Sequence, residues 1–139
     1  MVNNGGADPP PARGGAYDHR GQVTVAYAPE IDGEPDPGEI VWAWVPYEED
    51  PTRGKDRPVV VVGMADETPG HYAVLMVSSR AHDHDRNWVA IGTGQWDREH
   101  RASYVRTDRW LAVSGAGVRR EGAVLTPTQF LAVIEALRR

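Results

Sequence analysis

Two apolar runs of β type, residues 39–46 and 57–63, constrain the fold of this chain most strongly, because a short polar loop joins them. Both runs are rich in Val, Ile or Trp, as strands are. Residues 59–62 are four valines in succession, which predicts a strand with both faces buried. Pro58, just before them, cannot donate to a strand ladder but is tolerated at a strand's first position. Together, the two apolar runs predict a sheet with a buried central strand.

The remaining pattern predicts further strands at 72–79, 87–92 and 103–113, with turns at GTGQWD and SGAG. Thr126, Pro127 and Gln129 then form an N-cap, first-turn proline and capping-box signature. Apolar residues after them recur on one helical face and predict a helix to the C-terminus. Several short antiparallel strands closed by a terminal helix indicate a mainly β fold with α structure, arranged as a small barrel.

The first 36 residues differ in composition from the rest. Residues 1–21 are rich in Gly and Pro and predict a flexible tail, because they lack the apolar groups that offset the entropy of ordering. Residues 22–36 form an acidic linker in which Val23, Val25 and Tyr27 alternate, as in an edge strand. We therefore expect the folded domain to span residues 37–139.

Length and charge limit the classes of protein further. A chain of 139 residues fits one domain. Its net charge of −5 argues against a protein that coats nucleic acid in general, although residues 52–139 alone carry +3. The absence of cysteine excludes disulfides and thiolate chemistry. No apolar run is long enough to cross a membrane and no secretory signal is visible, so we expect a cytoplasmic protein.

The stretch PGEIVWAWVPYEEDPTRGKDRPVVVVG resembles the start of the MazF/PemK (Kid) toxins. A Gly-acidic-Ile-Val-Trp strand, a Gly-containing loop and an Arg-Pro-Val-x-Val-Val strand follow that family's order. The resemblance implies an SH3-like antiparallel β-barrel with a C-terminal helix over residues 37–139. It also implies a homodimeric, metal-independent endoribonuclease without a cofactor. Such a toxin cleaves single-stranded RNA, leaves 2′,3′-cyclic phosphate and 5′-hydroxyl ends, and is silenced by a cognate antitoxin.

The resemblance assigns Arg57 as a catalytic residue. Attack of a ribose 2′-hydroxyl on phosphorus builds negative charge on the non-bridging oxygens, and a preorganised guanidinium stabilises that charge. The alternative is an arginine that ends a loop and pairs with Glu48, Glu49 or Asp50. The loop before Arg57 also departs from the family, since Pro51 and Thr52 stand where many members carry a histidine or serine and a glutamate.

Three further catalytic residues follow from the same resemblance. Arg106 and Asp108 match a Val-Arg-x-Asp pattern, with the aspartate as base, and on a strand they would share one face. The alternative for them is a surface ion pair of well under ~1 kcal/mol. Ser78, at a strand end, matches a hydroxyl that contacts the scissile phosphate, with Ser79 as the second choice; serines also end strands simply because they form turns.

Other residues are candidates for contact with the RNA: Arg53, Lys55, Ser79, Arg80 and Trp96. Trp96, in a Gly-rich turn, is the best candidate to stack on a base. His82 and His84 have a pKa suited to a general acid, but their spacing does not predict a metal site. The competing interpretation of the whole chain is a non-catalytic SH3-like barrel that binds RNA or a peptide, which the missing loop residues favour.

Overall fold

The computed structural model describes residues 7–11, 14–25, 35–66, 68–82 and 85–138. Two short strands come first, β1 (Tyr17–Asp18) and β2 (Val23–Val25). Three longer strands follow, β3 (Glu39–Pro46), β4 (Gly54–Ala65) and β5 (His71–Ser78). The chain continues through β6 (Trp88–Gly92), β7 (Ser103–Arg106), β8 (Leu111–Ser114), a 3₁₀ turn (Gly115–Gly117), β9 (Val118–Val124) and α1 (Pro127–Leu137).

All recorded strand pairings are antiparallel, and β4 is the central strand. The main sheet has the order β1-β8-β5-β4-β3-β9, while β2 adds to the end of β4 and the β6–β7 hairpin adds to β5. This confirms the predicted mainly β, antiparallel fold with one C-terminal helix. The end strands β1 and β9 do not pair with each other in the described part of the chain, so closure into an SH3-like barrel stays a prediction.

The valine run of β4 is buried on both faces, as predicted. Val60 and Val62 contribute to one apolar cluster, which α1 covers with Phe130 and Val133. Val59 and Val61 contribute to a second cluster on the opposite face. Successive side chains of a strand point to opposite faces, so this one run supplies both halves of the core. The strand is thereby fixed, and with it the position of the residues at its start.

Gly63 allows β2 to approach β4. A Cβ atom at this position would lie 1.8 Å from the Thr24 carbonyl oxygen, a contact that only glycine avoids. The register of β4 against β5 also shifts between Val61 and Gly63, as at a β-bulge. β2 is part of the predicted edge strand, whereas Tyr27 lies outside the described residues.

The predicted strand 103–113 is wrong as a single element. Residues 107–110 leave the ladder, so that β7 pairs with Val77 and Ser78 while β8 pairs with residues 71–74 of the same strand, β5. The interruption places the Arg109 side chain in the interior, where it is 7% exposed. The strand β9 was not predicted because its RREG sequence is polar, and it forms by pairing with β3.

The described N-terminal residues lie against the sheet, although the sequence led us to expect a flexible segment. Ala16 is buried, and its N–H donates to the Trp44 carbonyl oxygen at 2.7 Å. The Asp8 carboxylate accepts a hydrogen bond from the Asp56 N–H at 2.8 Å. Backbone and small side chains make these contacts, so composition gave no sign of them. The boundary of the folded domain at residue 37 remains a prediction.

The helix α1 begins as predicted. The Thr126 side chain accepts a hydrogen bond from the Gln129 N–H, and the Gln129 side chain accepts one from the Thr126 N–H, which completes the capping box. The described part of the chain contains no helix that is long and apolar enough to span a membrane.

Candidate functional site

Arg57 lies near the start of β4, opposite Ala43 of β3, and is half-buried. Within the described part of the chain, no hydrogen bond or ion pair involves its guanidinium. Pairing with the loop carboxylates is therefore not seen: Glu48 binds Arg106 instead, and Asp50 accepts a hydrogen bond from Thr52. Arg57 thus keeps a donor fork that suits an anion.

Two surface cavities of about 650 and 950 Å³ meet at this arginine. We call them the first arm, which extends past Trp42, Trp96 and Arg98, and the second arm, which extends past Tyr47, His82 and Trp88. Both arms are lined by a common set of residues, which we call the groove centre: Lys55, Arg57, Ser78, Ser79 and Arg101. The arms therefore form one groove with Arg57 in its middle.

The groove is net positive although the chain is net negative. Among the described residues, nine arginines and lysines line the two arms, against five carboxylates. The remainder of the chain carries the acidic excess that gives −5 overall. Such a segregation of charge attracts a polyanion to the groove while repelling it elsewhere.

The two predicted serines lie at the groove centre, at the end of β5. Ser78 is the last residue of that strand, and its Oγ accepts a hydrogen bond from the Arg80 N–H at 3.1 Å. Ser78 and Ser79 are both half-buried and line both arms together with Arg57. β4 and β5 are paired neighbours, which brings the start of one strand beside the end of the other.

Arg106 and Asp108 contact each other, but Glu48 joins them. The Nε of Arg106 donates to one Asp108 oxygen at 2.6 Å, and its Nη1 donates to Glu48 at 2.5 Å. Nη2 donates to the second oxygen of each carboxylate at 3.2 Å. Both bidentate edges of the guanidinium are thus occupied. Asp108 follows β7 rather than lying on it, and it is not among the described residues that line the arms.

The pKa values of this cluster move in the directions that ion pairing dictates. The hydrogen bond from Arg106 lowers the pKa of Asp108, and the same guanidinium lowers the pKa of Glu48. The hydrogen bond to Asp108 raises the pKa of Arg106 above its ordinary value. Arg106 is consequently a very poor proton donor, and both carboxylates are ionised at neutral pH.

A second ion pair orders the first arm. The carboxylate of Asp97 accepts hydrogen bonds from the Arg101 Nε at 2.9 Å and from the Arg101 N–H at 2.7 Å. The guanidinium of Arg101 lowers the pKa of Asp97 to about 2. This contact closes the turn over residues 97–101, which lines the groove beside Trp96.

Replacing Asp97 with asparagine should make the stability of the fold vary less with pH in the acid range. A carboxyl whose pKa is lower in the folded state stabilises the fold above its unfolded pKa, about 4, and loses that contribution as the pH falls towards 2. We expect Asp97→Asn to melt below the wild type near neutral pH and the gap to narrow at about pH 3. Thermal melts at both pH values test this, and an equal gap at both would contradict it.

The structure corrects the prediction that Trp96 is free to stack on a base. Its indole is 7% exposed, packs in the core and donates from Nε1 to the Ser103 Oγ at 2.9 Å. A Cβ atom on Gly94 would lie 1.9 Å from the same ring, so the glycine turn is shaped around it. Trp42 is the half-buried indole of the first arm, with the Arg119 guanidinium 5.5 Å from its ring centre.

The other predicted contact residues are all in the second arm: Arg53, Lys55, Ser79 and Arg80. His82 also lines it, stacked on Trp88 with 3.8 Å between ring centres. His84 lies outside the described residues. Within the described ranges, no group of three or more His, Asp or Glu side chains could hold a metal ion.

Sequence reasoning missed several residues of the groove. Arg98, Arg101 and Arg119 line the first arm, and Arg109 lines the second. They come from a turn, a loop and an unpredicted strand. Only the net positive charge of residues 52–139 was consistent with such residues lining a site.

Comparison with known proteins identifies the family. The sequence profile of PemK-like, MazF-like toxins of type II toxin-antitoxin systems matches residues 36–139. The chain belongs to this family. The resemblance of residues 37–63 to MazF/PemK toxins is thus confirmed, and the match covers every residue of the groove.

A solved structure agrees with the MazF-like fold. The chain is similar to one in the crystal structure of MazE-MazF (Form-II) from Deinococcus radiodurans, with a TM-score of 0.50 and 20% sequence identity. The similarity covers 76% of this chain and 93% of that one. At this identity the likeness concerns the fold alone. No curated protein matches this chain.

Proposed function

We propose that this toxin is an endoribonuclease that cleaves single-stranded RNA, including mRNA, without a metal ion. One observation carries the proposal: the guanidinium of Arg57, which has no partner among the described residues, lies in the middle of a net positive groove, beside Ser78 and Ser79. Membership of the MazF-like toxins supports the same activity. The products would be a 2′,3′-cyclic phosphate and a 5′-hydroxyl end.

The groove centre would stabilise the charge that this reaction develops, whereas the base would come from outside it. The ribose 2′-oxygen bonds to phosphorus, the P–O5′ bond breaks, and the 2′-hydroxyl proton leaves while the 5′-oxygen gains one. Arg57 would stabilise the charge on the non-bridging oxygens, with Ser78 or Ser79 donating to the same phosphate. Asp108 is ionised and is our candidate base, and Arg106 would hold it in place; the pairing also makes that base weaker.

The two arms would hold the nucleotides on either side of the cleaved bond. Lys55 at the centre and Arg53 and Arg80 in the second arm would contact phosphates. In the first arm, Trp42 offers an aromatic ring beside Arg98 and Arg119, where a base can stack. A groove of this kind binds an extended strand better than a duplex, because bases must reach the aromatic side chains.

The partners that we propose follow from the family. The similar solved structure is a MazE-MazF complex, and the matched family consists of toxins of toxin-antitoxin systems. We infer that this chain forms a homodimer in the cytoplasm, that a cognate antitoxin silences it, and that the free toxin arrests growth by cutting mRNA.

A second function is favoured by one feature of the site. Both edges of Arg106 are occupied by Glu48 and Asp108, and Asp108 is not among the described residues that line the arms. If that cluster never opens, the chain would have a phosphate-binding arginine but no base, and it would bind RNA or a peptide without cleavage.

Incubating the purified protein with a long single-stranded RNA in excess EDTA separates the two functions. We expect discrete cuts, and mapping of the ends should find 5′-hydroxyl and cyclic phosphate termini. A duplex of the same sequence should resist. Binding without cuts, by a protein shown to be folded, would establish the second function. Cuts that appear only when a divalent ion replaces the EDTA would contradict the mechanism.

A further inference from the structure

The N-terminal segment, which lies outside the matched residues 36–139, contributes a carboxylate, Asp18, that is 47% exposed and pairs with a buried arginine beside the groove. Strand β1 pairs with β8, with Tyr17 opposite Ala112 and Asp18 opposite Leu111. The carboxylate of Asp18 accepts hydrogen bonds from Arg109 Nε at 2.8 Å and from Nη2 at 3.1 Å. A residue of the N-terminal segment and a residue of the second arm are thus joined by a bidentate ion pair.

The buried Arg109 links three parts of the site. Its Nη2 donates to the Pro46 carbonyl oxygen at 2.9 Å, and its Nη1 lies 3.6 Å from the Met76 sulfur. Pro46 is the last residue of β3, where the loop 47–53 begins, and Met76 lies in β5 shortly before Ser78. Arg109, Pro46 and Met76 all line the second arm. The guanidinium therefore fixes Pro46, at the root of the loop 47–53, against β5, the strand that ends at Ser78.

A guanidinium that is 7% exposed needs a counter-charge to remain in place. Asp18 provides both oxygens to it, whereas its other hydrogen-bond partners are a neutral carbonyl and a thioether. The carboxylates of Glu48 and Asp108 also attract it, but their hydrogen bonds go to Arg106. The hydrogen bond from Arg109 also lowers the pKa of Asp18, so the carboxylate stays charged at any pH near neutral. Without that charge, the free energy of Arg109 would be lower with its guanidinium turned out of the interior into the solvent of the second arm.

We infer that Asp18 is a positioning residue of the proposed active site: it holds Arg109, and through it the root of the loop 47–53, in the arrangement that cleavage requires. This inference rests on the proposed function for its catalytic consequence. It differs from a second possible role of the acidic N-terminal segment, in which its carboxylates compete with RNA for the groove.

The test compares Asp18→Asn with Tyr17→Phe. The first change removes the charge and keeps the shape. The second removes the 2.7 Å hydrogen bond between the Tyr17 hydroxyl and His71 Nδ1. Tyr17 lies on β1 beside Asp18, and neither Tyr17 nor His71 lines an arm. Asp18→Glu, which keeps the charge, should behave closer to the wild type. All variants are made in the full chain, and circular dichroism verifies their folding.

Two measurements are made on each protein. Amide hydrogen exchange reports on the loop through two of its own hydrogen bonds, Tyr47 N–H to the Arg53 carbonyl and Arg53 N–H to the Asp50 carbonyl. In Asp18→Asn we expect exchange there to rise about 10-fold, with no change at Phe130 in α1. We also expect kcat for RNA cleavage to fall about 10-fold with KM within about 2-fold, because the reacting groups lose alignment.

The outcomes separate this inference from the proposed function. If the wild type does not cleave RNA, the proposed function fails, but faster loop exchange in Asp18→Asn alone would still establish the link through Arg109. Equal effects of Asp18→Asn and Tyr17→Phe on exchange and kcat would reduce Asp18 to ordinary stabilisation and overturn the inference. Tighter RNA binding by Asp18→Asn with unchanged kcat would also overturn it, in favour of competition with RNA.

Discussion

Arg57→Ala should lower the rate of RNA cleavage by about 100-fold or more while the chain stays folded, because one donor aimed at the developing charge is worth about that much. The guanidinium has no partner in the described part of the chain, so its loss leaves no buried group unpaired. The effect should therefore appear in catalysis and not in stability. Single-turnover cleavage of a defined RNA and a thermal melt measure the two separately.

Two other variants make this result specific. Arg57→Lys keeps the charge but not the bidentate fork, and it should recover only part of the rate. Arg86→Ala removes an exposed arginine that lines neither arm among the described residues, and it should cleave like the wild type. Equal losses in Arg57→Ala and Arg86→Ala would mean that general charge, and not a placed guanidinium, drives cleavage.

The parts of the fold that follow from local pattern were predictable from sequence. Four valines in a row can only be buried on both sides, and Thr126 with Gln129 caps a helix whatever surrounds it. β9 was missed because its residues are polar and exposed, and its stability comes from pairing with β3. Likewise, no local sequence pattern shows that residues 107–110 leave the ladder, since this depends on the contacts that Arg109 makes in the interior.

The candidate site divides in the same way. Arg57 and Ser78 stand at the ends of recognisable strands, so the sequence located both, and pairing of β4 with β5 brings them together. Arg109 and Asp18 are 91 residues apart, and no periodicity connects them. Trp96 shows the opposite error: a tryptophan in a Gly-rich turn resembles a stacking residue, yet the turn folds the ring inwards. Charge and aromatic character predict the composition of a groove better than they predict which side chains face it.

Arg120→Ala should be among the most destabilising changes outside the apolar core, at about 3 kcal/mol. The Glu39 side chain is 5% exposed, and Arg120 donates to its two oxygens at 2.8 and 2.9 Å. Removing the guanidinium leaves that charge in the interior without its ion-pair partner. Because the pair joins the start of β3 to β9, the loss should lower Tm by about 10 °C.

Removing the other partner, the charge of Glu39, should destabilise the fold less, and this asymmetry tests the argument. Glu39→Gln removes the buried charge, and the Arg120 side chain is already 39% exposed, so its guanidinium stays hydrated. The double variant should therefore be more stable than Arg120→Ala alone. Arg119→Ala, the neighbouring arginine with surface ion pairs to Asp56 and Glu121, should cost less than about 1 kcal/mol. If Arg119→Ala and Arg120→Ala melt alike, burial of Glu39 does not decide the effect, and β9 is held by its backbone pairing with β3 alone.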